Sequence, residues 1–202
     1  PTATTTLPRT PPSSMRWSSV ATCSKGTTRS TVGVSRPASA PAPFSGSHVR
    51  FGTVVVPADG SSWCGDAAFH RVEATQTTLA VVDGLGHGGR AAEAARVTLA
   101  YLNQHGHEAL ITIIRQLHEE LRSTVGAAFG IARMDFTKGV LSFAGIGNVR
   151  GRLLGAREHY LDCTPGVLGD RLGEIDLEHR TMRPGDLVAL WSDGITLTRS
   201  LS

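Results

Sequence analysis

The chain has 202 residues, 40% of them hydrophobic and 18% charged, which is room and composition for one globular domain around a single core. No apolar run approaches the roughly 18 residues of a spanning helix, and Pro1 to Thr10 carries no apolar signal-peptide core, so a cytoplasmic protein with no membrane partner is expected. The formal charge of +3 is uneven: residues 1–48 hold five basic and no acidic residues, leaving 15 Lys and Arg against 17 Asp and Glu, a net of −2, in residues 49–202. No basic face on a folded unit follows from that, and no nucleic-acid partner is expected.

Residues 1–48 hold seven of the ten prolines and 19 Ser or Thr. They show neither helical nor strand periodicity and read as a disordered Ser/Thr/Pro-rich tail. Their lack of any acidic residue also admits a non-native origin, such as a shifted reading frame or the remnant of a fused domain. The character changes at Val49. Val49 to Val56 is β-branched and reads as a strand, stopped by Pro57-Ala58-Asp59-Gly60. Phe69 to Ala74 and Thr77 to Val82 read as a hairpin turning at Glu73 to Gln76.

Two helices follow. Ala92, Ala95, Leu99 and Leu102 recur at helical spacing, with an end near Asn103 to Gly106, where Gly106 is expected as a left-handed cap. Leu110, Ile113, Ile114, Leu117 and Leu121 form the fuller stripe of a second helix. Both stripes are read as core. Strands then resume over Ala127 to Met134, Val140 to Ile146, Arg150 to Leu154, Ile175 to Met182 and Leu187 to Ser192, separated by Gly- or Pro-Gly-containing turns. Strands, two helices, then strands define an α+β layered domain with helices covering antiparallel sheets.

Three acidic motifs sit where strands meet turns: Cys64-Gly65-Asp66, Asp83-Gly84-Leu85-Gly86-His87-Gly88 and Ser192-Asp193-Gly194. A carboxylate at a strand end is backed by a rigid core, and the glycine beside it lets backbone approach closely. Oxygen donors of this kind suit Mg²⁺ or Mn²⁺, whereas zinc prefers Cys and His. Cys23, Cys64 and Cys163 are odd in number and widely spaced, giving neither a disulfide framework nor a zinc site. Singly, each Asp-Gly is more often a plain turn; the weight lies in three of them in one order.

That combination resembles the metal-dependent serine/threonine phosphatases, the PPM family, in its SpoIIE-like branch and most closely the RsbX type. Asp83 to Gly88 followed by Ala91-Ala92-Glu93-Ala94-Ala95 is similar to the branch's metal turn and first helix. Ser142-Phe143-Ala144-Gly145-Ile146-Gly147-Asn148 resembles its central strand and turn, and Ser192-Asp193-Gly194 its late metal motif. The resemblance covers about residues 49–200. It implies two packed antiparallel β-sheets flanked by helices and two Mn²⁺ or Mg²⁺ ions. The metal residues it implies are Asp66, Asp83, Gly84 through its carbonyl, and Asp193, with Asp83 bridging. The nucleophile would be a water bridging the ions, and His87 would protonate the leaving seryl oxygen, imidazoles titrating near neutral pH; a surface turn histidine is the alternative for His87. Arg71 and Arg90 are the candidate phosphate clamps near the first motif.

The family pattern closes on a further Asp motif some tens of residues after Asp193, whereas this sequence ends at Ser202, so an incomplete C-terminal part of the fold is expected. Two functional readings stay open: hydrolysis of phosphoserine or phosphothreonine on a regulatory protein of stress-response or sigma-factor signalling, or an inactive phosphatase-like module that binds such a phosphoprotein. A basic tail tethering a domain to nucleic acid is disfavoured by the slightly acidic residues 49–202.

Overall fold

The computed structural model describes residues 17–24, 49–57 and 63–195. In chain order the elements are β1 (Trp17–Ser24), β2 (Val49–Val56), β3 (Asp66–Val72), β4 (Gln76–Gly84), α1 (Gly88–His105) and α2 (Leu110–Glu120), the last running into a 3₁₀ turn (Leu121–Ser123). Then come β5 (Ala127–Asp135), β6 (Val140–Ile146), β7 (Arg150–Leu154), β8 (Glu158–Leu161), β9 (Glu178–Thr181) and β10 (Leu187–Trp191). Among the described residues the strands form two five-stranded sheets, one ordered β3-β4-β5-β6-β9 and the other β2-β1-β10-β7-β8.

Residue alternation fixes how the layers stack. On the first sheet, Phe69, Ala80, Val82, Phe129 and Ile131 face the helices and pack with Leu102, Ile113, Ile114 and Leu117. The alternate residues, Leu79, Val81, Met134, Leu141 and Phe143, face the other way and meet Leu153, Leu161, Val188 and Leu190 of the second sheet. β4 is thus covered on both faces, Thr77 to Gly84 all being buried, which is why it reads as one apolar run with no alternation. Each large side chain so buried contributes about 1.5–3 kcal/mol. The helices cover the outer face of the first sheet; among the described residues no helix covers the second. No helix among the described residues is long and apolar enough to cross a membrane.

The Glu73 to Gln76 turn forms as read, closed by Glu73 N–H donating to the Gln76 carbonyl at 2.8 Å. The α2 stripe is buried as read. The α1 stripe is offset by one residue: Ala91, Ala94, Ala95, Thr98 and Leu102 are buried, and Ala92 and Leu99 lie at its margin. Small residues win the central positions because the helix lies close on β3 and β4.

Four expectations are corrected. Trp17–Ser24, read as part of a disordered tail, is a strand, pairing parallel with both β2 and β10. Its sequence lacks strand alternation because main-chain ladders from two distant strands define it. The second sheet is consequently mixed, while every other ladder among the described residues is antiparallel. Residues 1–16 and 25–48 lie outside the described residues. Strand β8 is not announced by the sequence pattern, and the strand expected over Ile175 to Met182 contracts to Glu178–Thr181. Finally, Gly106 caps α1 in the right-handed region, at φ −62°. Glycine is needed there for space: a Cβ would stand 2.5 Å from the Leu102 carbonyl oxygen and 2.9 Å from the Phe69 ring.

The half-buried Arg133 of β5 locks that helix junction to the sheet. Its guanidinium donates to Thr78 Oγ1 at 2.9 Å, to the Glu108 carbonyl at 2.7 Å and to the Gly106 carbonyl at 2.8 Å. Burial holds its pKa below the usual arginine value. Arg133→Met keeps the apolar stem but strands three acceptors, so a loss of about 3 kcal/mol is expected. That corresponds to a drop of roughly 6–12 °C in Tm for a chain of this size. Arg133→Lys should recover little of it, since an ammonium cannot fork to three separated oxygens; thermal melts of the two variants test this.

Candidate metal centre

The site forms at one end of the sandwich. Asp66 opens β3 and Asp83 lies near the end of β4, and the two are direct partners across the antiparallel ladder. Gly84 N–H donates to the Gly65 carbonyl at 2.8 Å, which makes the neighbouring Asp66–Asp83 position a non-hydrogen-bonded pair. Side chains of such pairs stand closest, with Cα atoms about 4.5 Å apart. Asp83 shares the face of Leu79 and Val81, so both carboxylates point between the sheets, and both are buried, 4% and 3% exposed. Two facing buried carboxylates repel unless a proton or a cation intervenes.

The second sheet supplies the opposite wall. Ser192, which directly follows β10 and is fully buried, donates from Oγ to Asp66 Oδ2 at 3.1 Å. Asp193 is exposed and accepts from Asn148 Nδ2 at 2.7 Å. Asp83 and Asp193 line one cleft of about 410 Å³ together with Leu85, Gly86, Asn148 and Val167.

Gly84 lies under α1: a Cβ there would stand 2.3 Å from the Ala91 carbonyl oxygen. The glycine thus lets the helix settle directly on the strand end that carries Asp83. His87 is the exposed N-cap residue of α1, with no side-chain capping bond, and does not border the cleft.

Among the described residues, no three His, Cys, Asp or Glu side chains stand close enough to enclose one ion. Asp66, Asp83 and Asp193 come as a facing pair plus one carboxylate across the cleft, the last drawn toward Asn148. That donor set still fits Mg²⁺ or Mn²⁺, since Mg²⁺ in particular takes one or two carboxylates and keeps several waters. Arg71 does not belong to the site. It sits at the far end of β3 and donates to the Asn103 carbonyl at 2.5 Å. Arg90 stands in the first turn of α1, exposed. Arg150 and Arg152 instead line a second cavity of about 370 Å³ with Tyr160, Trp191 and Asp193, Arg152 being paired with Glu158 at 2.6 Å. Cys163 lines it too, but burial, with Asp162 and Glu178 nearby, pushes its thiol up to about 12. It donates to the Val149 carbonyl at 3.1 Å and is a packing residue, not a nucleophile.

Two packed sheets with acidic strand ends and helices laid on a sheet's outer face match the fold of the PPM phosphatase domains. Residues 73–202 match the family described as Stage II sporulation protein E (SpoIIE), and the chain belongs to that family. Among individual relatives it is 28% identical over 92 residues to the phosphoserine phosphatase RsbX of Bacillus subtilis (strain 168), 46% of each chain; it thus spans about half the length of that curated relative. A solved structure described as "The bacterial stressosome: a modular system that has been adapted to control secondary messenger signaling" contains a chain 34% identical, covering 68% of this chain and 72% of that one at a TM-score of 0.65. The crystal structure of RsbX in complex with magnesium aligns at a TM-score of 0.66 with 24% identity, over 70% of this chain and 72% of that one, a likeness of fold.

Proposed function

We propose that this chain is a metal-dependent protein phosphatase that hydrolyses phosphoserine or phosphothreonine on a regulatory protein of stress-response or sigma-factor signalling. The observation that carries the reading is the buried Asp66–Asp83 pair, in register across β3 and β4, with Asp83 and Asp193 lining one cleft. The substrate class is supported by a relative called a phosphoserine phosphatase and by the likeness to a chain in a structure described as the bacterial stressosome.

Asp66, Asp83, the Gly84 carbonyl and Asp193 would hold two Mn²⁺ or Mg²⁺ ions, which when bound supply an activated water and neutralise phosphoryl charge. The chain's own residues do the rest. β3 and β4 fix the two carboxylates at one register position, so the donors for the ions would already be in place with little reorganisation. Asn148 orients Asp193 through its amide. His87, exposed at the N-cap of α1 and outside the cleft lining, would give a proton to the leaving seryl oxygen by turning toward the cleft.

The test is hydrolysis of p-nitrophenyl phosphate and of a phosphoserine peptide with Mn²⁺, with Mg²⁺ and with EDTA. Turnover in metal that EDTA abolishes is expected. Metal-independent turnover would overturn the reading. Phosphopeptide binding without turnover in any metal would assign the non-catalytic docking role instead.

A further inference from the structure

Ser192 brings a fully buried hydroxyl to the acidic pair, and it comes from the other sheet: 126 residues separate it from Asp66 in sequence. Its Oγ–H engages Asp66 Oδ2, fixing the carboxylate's rotation about the bond that joins it to Cβ. Asp83 stands directly opposite Asp66, so that rotation decides whether the pair presents its oxygens as a set. The same residue immediately precedes Asp193. Holding Ser192 against β3 therefore also sets how far the Asp193 wall stands from the Asp83 wall.

We infer that Ser192 is a positioning residue of the metal centre, a bridge between the sheets that orients Asp66 and sets the spacing of the two acidic walls. This rests on the metal-dependent reading above. Groups that orient a ligating carboxylate typically change metal affinity by about 10–100-fold when removed. A purely structural hydroxyl would change stability and leave affinity alone.

The experiment is Mn²⁺ titration of the full chain by calorimetry, with thermal melts in EDTA alongside. Ser192→Ala should weaken Mn²⁺ binding about tenfold or more, and Ser192→Thr, which keeps the hydroxyl, should restore most of it. If Thr crowds the buried site, a double-mutant cycle with Asp66→Asn decides the matter. The affinity lost on Ser192→Ala in the unaltered chain should disappear when Asp66→Asn is already present, because there is no longer a carboxylate to orient. An unchanged Mn²⁺ affinity in Ser192→Ala, or an equal loss in both backgrounds, would overturn the inference. Absence of Mn²⁺ binding by the unaltered chain would overturn the metal reading and this inference with it.

Discussion

Asp83→Asn should abolish metal-dependent turnover while leaving the apo protein as stable as before or more so. The two halves of this expectation come from the same geometry. Asp83 faces Asp66 at a close-pair position of the ladder, and both are buried. Without a cation, that arrangement sets like charges side by side in a medium that screens them poorly. An isosteric amide removes one charge and can donate a hydrogen bond to the carboxylate opposite, so the melting temperature in EDTA should hold or rise. With Mn²⁺ the sign reverses. The unaltered chain should gain stability as ion concentration rises above Kd, and Asp83→Asn should lose most of that gain. A loss of about three orders of magnitude or more in kcat/KM is expected, on the order of 4 kcal/mol of transition-state stabilisation. Paired melts with and without Mn²⁺, beside p-nitrophenyl phosphate kinetics, check both halves. A variant that hydrolyses normally would remove Asp83 from the centre.

Gly84→Ala should be the most destabilising single-methyl change at the site. Its added Cβ would meet the Ala91 carbonyl oxygen at 2.3 Å and the Ala91 carbonyl carbon at 2.9 Å. Both belong to helix backbone, which cannot rotate away as a side-chain tip can, so α1 must lift from the end of β4. Overpacking against fixed backbone costs about 3 kcal/mol or more, roughly 6–12 °C in Tm. Gly86→Ala makes the contrast. Gly86 has φ +81°, but a Cβ added to it would meet nothing within 4 Å, so only left-handed backbone strain applies, about 1–2 kcal/mol. Melting both variants separates close approach from backbone conformation. Equal losses would mean that α1 does not press on Gly84.

Much of this was legible in the residues because the signals are local. The α2 stripe from Leu110 to Leu121 has a helix's period and buries the face it announces. Asp66, Asp83 and Asp193 stand at strand ends because a Gly-containing turn beside an apolar run can hardly place them elsewhere. What escaped is non-local. Trp17–Ser24 shows no alternation, and only ladders to β2 and β10 make it a strand. Arg71 is close to Asp66 in sequence, but strand geometry moves it about 3.3 Å further away per residue, and it ends at Asn103. Arg150 and Arg152 lie far from the first motif in sequence and share a cavity with Asp193 only because β7 pairs with β10.

Periodicity and turn chemistry act over a few neighbours, so the residues alone revealed the helices, most of the strands, the family and the acidic motifs at strand ends. Tertiary structure alone decided that Asp66 opposes Asp83 in register and that Ser192 holds one of them from the other sheet. It also decided that Asp193 stands across the cleft instead of closing a cage. Those relations depend on ladder register and on how two sheets stack, and a pairing such as that of Ser192 with Asp66, 126 positions apart, leaves no periodic trace in the chain.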